Sequence, residues 1–387
     1  MTPQETELLK ALSSALSNES LAQPQDLPAV LSCASNHKVI PLLYDALSPC
    51  AEPIHGSLDQ ETRKTILQFW RLFFLTKQLC DLLEEHGIRV AVLKGISAAE
   101  DYPHMEYRKS GDVDLLIDAS DMDKTADLLS SLGFQKDEQQ RALHHIAFNG
   151  PDQIEVEVHK LFAEPFDNTE TNHKLRYYSK EALSHVVHRE IEGISFPLLD
   201  DTYQAFSLLM HMLQHYLRAG FGLKLLTDWS VVWNRRYTTE LAQSYQELIN
   251  DMAVDGFSDL VTSACFYELG LKGDHMPAKT VDREWCEAFL EEVFAGGEFG
   301  RSSTDRMVSL RGTGIFEYVR EFHHQMRLNY PKLSVCILLW PILWILTLIR
   351  FLINNRTVRH TSTLEILKKT KVRSELNENI HLFHKKE

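Results

Sequence analysis

A chain of 387 residues with 44% hydrophobic content is long enough for two or three domains and apolar enough to bury a sizeable core, which argues against a disordered tail. Its net charge of −14 argues against a broad basic surface for duplex DNA and favours small-molecule or protein acceptors, although a local basic groove is compatible with it. The six cysteines (Cys33, Cys50, Cys80, Cys265, Cys286, Cys336) form no CxxC pair, which fits a reducing compartment and neither a disulfide framework nor a zinc site.

The N-terminus, MTPQETELLK, lacks the basic start and apolar stretch of a secretory signal, so a cytoplasmic location is expected. Residues 1–88 read as a helical lead-in: Val30 to Leu47 and Leu58 to Glu85 repeat apolar residues at spacings of three and four, and Gly87 supplies a stop. From Arg89 the pattern changes. RVAVL is a short apolar run, DVDLLID alternates, HHIAFNG follows and QIEVEVHK alternates again, which predicts four strands before residue 161. A helix from Ser120 to Leu132 crosses between the second and third, with Ser120 as N-cap, Asp123 three residues on, and Gly133 as its end. Asn149, Gly150, Pro151 and Asp152 have the composition of a tight turn, so the last two strands should form an antiparallel hairpin in a mixed sheet.

The α/β core is thus expected over 89–195 and an all-helical domain over 196–330, clearest in Tyr203 to Tyr216, Leu223 to Arg235 and Thr238 to Ala253. The remaining segment, 331–387, contains 17 residues without a charge (Leu333 to Ile349), interrupted by Pro341 and just short of a spanning helix. Residues 350–387 then carry nine Lys or Arg against four Glu, a net +5. With Trp340 and Trp344, this reads either as a helix on an anionic membrane surface, through 333–373, or as a core helix of the helical domain.

The chemistry concentrates in the strands. Residues two apart on a strand share a face, so Asp112 and Asp114 present two carboxylates together, and Glu155, Glu157 and His159 share a face of the hairpin strand. Carboxylates brought together repel unless a cation lies between them, and few protein carboxylates plus substrate phosphates are what Mg²⁺ takes. The plain alternative is that DVD and EVE are exposed faces of half-buried strands. Upstream, VLKGISAAE runs a strand into Lys94 and Gly95, with Ser97 and Glu100 at capping-box spacing, which is either a phosphate-binding turn or an ordinary strand-to-helix turn.

In order and spacing, LKGISAAEDYPHMEYRKSGDVDLLID resembles the nucleotidyltransferase superfamily typified by DNA polymerase β, and more closely its bacterial branch of uncharacterised nucleotidyltransferases. A later ExH strand (Val156, Glu157, Val158, His159) and the segment MHMLQHYLRAGFGLKLLTDWSVVW extend the resemblance over roughly residues 30 to 345. It implies an α+β fold: a small mixed nucleotidyltransferase sheet with flanking helices, embedded between N-terminal and C-terminal helical regions. It also implies that Asp112, Asp114 and Glu157 hold the catalytic metals, that Gly95 and Ser97 line the triphosphate, and that Lys94 and Arg108 neutralise phosphate charge.

The superfamily usually has adjacent Gly-Gly or Gly-Ser, whereas Ile96 separates Gly95 from Ser97 here. His211, His215, Lys224 and Asp228 are expected to face the cleft and touch nucleotide or acceptor, the histidines alternatively to cap and pack. Their i, i+4 spacing also suits a zinc pair, but no HExxH is present.

The resulting expectation is a Mg²⁺- (or Mn²⁺-) dependent enzyme that moves NMP from an NTP such as ATP to an acceptor hydroxyl or phosphate and releases pyrophosphate. The acceptor class stays open among small molecule, glycan precursor, peptide, protein and tRNA, at the inner face of the membrane if the C-terminal segment docks there. The alternative is a non-catalytic nucleotide-binding or membrane-associated scaffold, against which the intact carboxylate trio argues.

Overall fold

A computed structural model describes residues 1–19, 24–47, 55–138, 142–150, 153–166, 168–217, 220–297, 315–330, 333–354, 375–376, 378–380 and 382. Helix α1 (Pro3–Leu16) starts at a reciprocal capping box between Thr2 and Glu5. The periodicity from Val30 to Leu47 does not give one helix. α2 (Leu27–Asn36) stops, Lys38 adopts φ 56°, and a 3₁₀ turn at Ile40–Leu43 leads into α3 (Tyr44–Leu47). Pro41 explains the break, because its ring clashes with a preceding helical turn and disfavours helical backbone at Ile40. α4 (His55–Glu85) ends at Gly87, which takes φ 70° as a C-terminal stop requires.

The sheet has seven strands, and their chain order is β1 (Val90–Val92), β2 (Asp112–Ile117), β3 (Gln135–Lys136), β4 (His145–Asn149), β5 (Glu155–His159), β6 (Val186–Ile191) and β7 (Ile194–Leu199). They lie side by side as β3-β4-β5-β2-β1-β7-β6, with β2–β5 and β1–β7 parallel and the other pairs antiparallel, so the sheet is mixed. The β4–β5 hairpin is present, although Pro151 and Asp152 of its turn lie outside the described residues. Two-residue β3 and the β6–β7 hairpin were not expected. That hairpin turns at Glu192 and Gly193, both with positive φ, the backbone that matches strand twist. Strand β7 runs past residue 196, where the sequence pattern predicts helix, and it does so through Pro197, a residue that argues against a strand.

Two helices fill the gaps between strands on the way. A single turn, α5 (Ile96–Ala99), follows β1, and α6 (Met122–Ser131) follows β2. Ser120 does not cap α6: it sits in a 3₁₀ turn whose cap is Asp118, and Asp118 accepts from both the amide and the hydroxyl of Ser120. After β5 come α7 (Thr169–Glu181), α8 (Asp201–Leu217), α9 (Leu223–Arg236), α10 (Thr239–Met252), α11 (Asp255–Glu268) and α12 (Arg283–Gly296).

Alternation along the strands divides the interior into two cores. Val113, Leu115 and Ile117 of β2, with Val156 and Val158 of β5, pack against Phe69, Leu72, Phe73 and Leu83 of α4. On the opposite face Leu93, Leu116 and Leu199 join a larger core built from α1, α2 and α8–α12, so the N-terminal helices and the later helices share one interior. Leu376, Ile380 and Leu382 are buried in that same core.

The last helices are α13 (Ile315–Asn329) and α14 (Trp340–Asn354). Pro341 does not interrupt the apolar run; it occupies the first turn of α14, where its missing N–H is harmless. Leu343 and Thr347 are buried, and both tryptophans turn inward: Trp344 Nε1 donates to His323 Nδ1 at 3.3 Å and the Trp340 ring lies 4.5 Å from His323. Among the described residues no helix is long and apolar enough to cross a membrane.

Gly256 on α11 is where the C-terminal residues touch down: a Cβ there would sit 1.8 Å from the Ile380 carbonyl oxygen. Gly256→Ala is expected to lower stability by about 1–3 kcal/mol in urea denaturation, the usual range for overpacking. Gly111→Ala, where a Cβ meets nothing within 4 Å, should stay within about 0.5 kcal/mol of wild type.

Candidate active site

The acidic centre follows from strand register. Parallel pairing of β2 with β5 sets Asp112 beside Glu155 and Asp114 beside Glu157, all on the face turned toward α8 and α9. Antiparallel pairing of β4 with β5 sets His145 opposite His159 on that same face. Lys94 lies two residues beyond β1, held because the Leu93 amide donates to the Asp114 carbonyl at 3.1 Å, and its Nζ lies 2.6 Å from Asp114 Oδ1. His159 Nε2 completes the contacts, 2.9 Å from Asp114 Oδ1 and 3.1 Å from Glu157 Oε2.

Charge inside this pocket is finely divided. Burial opposes ionisation of Asp114, but Lys94 and His159 outweigh it and hold the carboxyl well below its ordinary range. Burial likewise opposes charge on Glu157 and His159, yet their mutual contact lowers the first and raises the second. Burial disfavours the Lys94 ammonium, and Asp114, Glu157 and Asp112 overcome it, so its pKa is raised. Asp112 is the exception. Burial, then repulsion from Asp114, push it up to about 6, and it has no hydrogen-bond or ion-pair partner among the described residues. A half-buried carboxylate that Lys94 and Lys224 compensate only in part, next to two others, is a donor set that fits a divalent cation, and the donor atoms of Asp114, Glu157 and His159 lie within 4.8 Å of one another.

The other expected residues divide into two groups. Lys224 on α9 acts electrostatically on Asp112, and His211 on α8 on Asp114 and His159, so both border the centre; the His215 ring stacks edge-on against His211 at 4.4 Å. Burial, reinforced by Lys94, pushes His211 well below its ordinary value and keeps it neutral. Gly95 begins α5 with φ 65°, so the turn after Lys94 does require glycine.

Ser97, Arg108 and Asp228 are engaged elsewhere. Ser97 caps nothing; it is fully buried and its Oγ accepts from Gln204 Nε2 at 3.1 Å. Arg108 and Asp228 bind each other: Nε donates to Oδ1 at 2.6 Å and Nη2 to Oδ2 at 2.7 Å, with Tyr102 and Ser110 completing the buried network. The expected phosphate cation is therefore a clamp between the loop before β2 and α9. His144, His145 and Gln204 also belong to the surroundings of the site and were not singled out from sequence. The signal for the first two was the adjacent pair at the head of an alternating segment.

Removing one member of a buried pair strands the other charge, typically at about 3–5 kcal/mol. Asp228→Ala is expected to destabilise the protein by that amount in urea denaturation, and Arg108→Met combined with Asp228→Leu to recover most of it. Equal losses in the single and double variants would argue against the clamp.

Comparison with known proteins adds one match. A family model described as uncharacterised nucleotidyltransferase covers residues 23–265, more than half of the chain, including β1–β7, the carboxylates and α8–α10. No curated protein matches the chain. With the carboxylate trio on adjacent strands and the match extending from α2 into α11, the chain belongs to the uncharacterised nucleotidyltransferase family.

Proposed function

We propose that this protein transfers NMP from an NTP to an acceptor hydroxyl or phosphate and releases pyrophosphate, with Asp112, Asp114 and Glu157 holding Mg²⁺ or Mn²⁺. The observation that carries the reading is the parallel β2–β5 register, which sets Asp114 beside Glu157, with Asp112 on the same strand face. A bound divalent cation supplies charge stabilisation for the attacking and leaving oxygens of an in-line displacement. The chain itself contributes position and compensating charge. Lys94 and Lys224 bring positive charge to the carboxylates, and the positive-φ turn at Gly95 keeps the backbone free of a side chain where phosphates would approach. His211, which borders the centre from α8, and His215 packed against it would contact base or acceptor. Arg108 with Asp228, and Ser97 with Gln204, are positioning residues that fix the loops carrying Lys94 and Asp112.

The test is thermal shift with ATP, GTP, CTP and UTP, each with and without Mg²⁺, together with pyrophosphate release. A nucleotide at about 100 times its Kd should stabilise wild type by about 2.7 kcal/mol. Asp112→Asn and Asp114→Asn should each lose at least about a hundredfold in turnover while remaining folded. Turnover kept in both variants would overturn the assignment, and absence of any shift in wild type would favour a nucleotide-independent scaffold.

We further infer that α14 rests on an anionic bilayer. Around the buried Leu343 and Thr347, the helix and its approach expose Val335, Leu338, Ile342 and Ile345, the second at 87%. The next residues, 350–387, bring a net +5 on a protein of −14. In flotation with vesicles of phosphatidylcholine and phosphatidylglycerol, wild type should rise with the lipid at low salt. Ile342→Glu combined with Ile345→Glu should reduce that fraction at least tenfold; wild type left in the aqueous phase would refute the surface.

A further inference from the structure

Beside the carboxylates lies a cluster of histidines, two of which, His144 and His145, have no part in the proposed nucleotidyl transfer. The β4–β5 register sets His145 opposite His159, and His144 precedes β4 while still bound to the hairpin, because the Lys160 amide donates to its carbonyl at 2.9 Å. The three rings are mutually close, with centroids 4.3 Å apart for His144 and His145, 4.9 Å for His145 and His159, and 5.5 Å for His144 and His159. One nitrogen from each lies within 4.8 Å of the others, in a region where His144 and His159 are at most 5% exposed.

What turns a cluster into a site is the direction of the nitrogens. Each histidine has a carboxylate near one ring nitrogen: Glu164 Oε1 is 3.8 Å from His144 Nδ1, Glu157 Oε1 is 3.4 Å from His145 Nε2, and Asp114 Oδ1 is 2.9 Å from His159 Nε2. The opposite nitrogens are His144 Nε2, His145 Nδ1 and His159 Nδ1. The first two are hydrogen-bonded to each other at 3.0 Å, a contact that a bound ion would replace, and the third is buried without a hydrogen bond. A metal bound by imidazoles at about 2.0–2.1 Å holds them with nitrogens only slightly farther apart than that. Metal-ligating histidines almost always donate from the other nitrogen to a carboxylate or carbonyl, as His159 can to Asp114 at 2.9 Å, whereas Glu164 at 3.8 Å from His144 would have to close in to do the same.

We propose that His144 Nε2, His145 Nδ1 and His159 Nδ1 form a site for a late first-row divalent ion of the Zn²⁺ class, backed by Glu164, Glu157 and Asp114. Three imidazoles select such an ion over Mg²⁺ or Ca²⁺, which prefer oxygen, and leave room for a fourth ligand. The site shares His159 with the carboxylate centre but takes its other two ligands from outside it, and it stands whether or not transfer occurs. His159 joins the two, since it touches Asp114 and Glu157 with one nitrogen and the ion with the other.

The experiment uses the full chain stripped of metal and titrated with Zn²⁺ against a chromogenic chelator, and with Co²⁺ followed by visible absorption. One ion per chain and the intense absorption of low-coordinate Co²⁺ are expected. His144→Gln combined with His145→Gln should weaken Zn²⁺ at least a hundredfold with an unchanged circular dichroism spectrum. Asp112→Asn, which disables the proposed carboxylate site, should bind Zn²⁺ like wild type, so the two ideas fail separately. Unchanged affinity in the histidine double variant, or no stoichiometric binding by wild type, overturns the proposal. So does loss of binding in His211→Gln combined with His215→Gln while the His144 and His145 variant still binds.

Discussion

Like charges held side by side away from water organise this protein. Asp112, Asp114 and Glu157 share one face of two parallel strands, and parallel register leaves no freedom to separate Asp114 from Glu157. The fold answers with polar partners at defined places, the Lys94 ammonium just beyond β1 and the His159 imidazole two residues beyond Glu157, while Asp112 has no hydrogen-bond or ion-pair partner among the described residues. The opposite strand faces must then be wholly apolar, since the same backbone that presents carboxylates upward presents Val113, Leu115, Val156 and Val158 to α4. Site and core are two readings of one alternation.

That arrangement needs a lid of fixed position, and the Arg108–Asp228 pair supplies it. The guanidinium stands in the loop leading to β2 and the carboxylate on α9, 120 residues apart in sequence, so the strand that carries Asp112 and the helix that carries Lys224 are registered against each other. Tyr102 and Thr227 extend the same network around the joint. A buried pair of this kind is weak evidence for stability but a strong geometric constraint. The helices that face the carboxylates are accordingly part of the same packed interior as α1 and α2.

Local patterns were legible wherever a period decided the outcome. DVD and EVE show two-residue alternation with nothing to compete, and Gly87 marks a helix end because only a positive-φ residue suits it. The parts that were illegible depend on distant partners. Nothing near Arg108 tells whether it waits for phosphate or for an aspartate on α9, and Ser97 has capping spacing yet is buried against Gln204. The β6–β7 hairpin was hidden by Pro197, and the helix expected from Val30 onward by Pro41, a residue whose backbone limits outweigh apolar spacing. The pairing of His144 with His145 is not legible in the sequence because neighbours on a strand face apart, whereas His144 sits just ahead of β4 and its ring lies 4.3 Å from that of His145.

Helix α12 packs in the main core, and far along the chain Leu376, Ile380 and Leu382 are buried in that core again. Helices α13 and α14 therefore lie, in chain order, between two segments that are both anchored in the main core. A pull on α14, from a bilayer or from anything else that grips it, is shared by α12 and by the contact of Ile380 with Gly256 on α11. Suspension from two points resists swivelling far better than one tether does, so a protein held through this helix would keep one fixed side turned to whatever holds it.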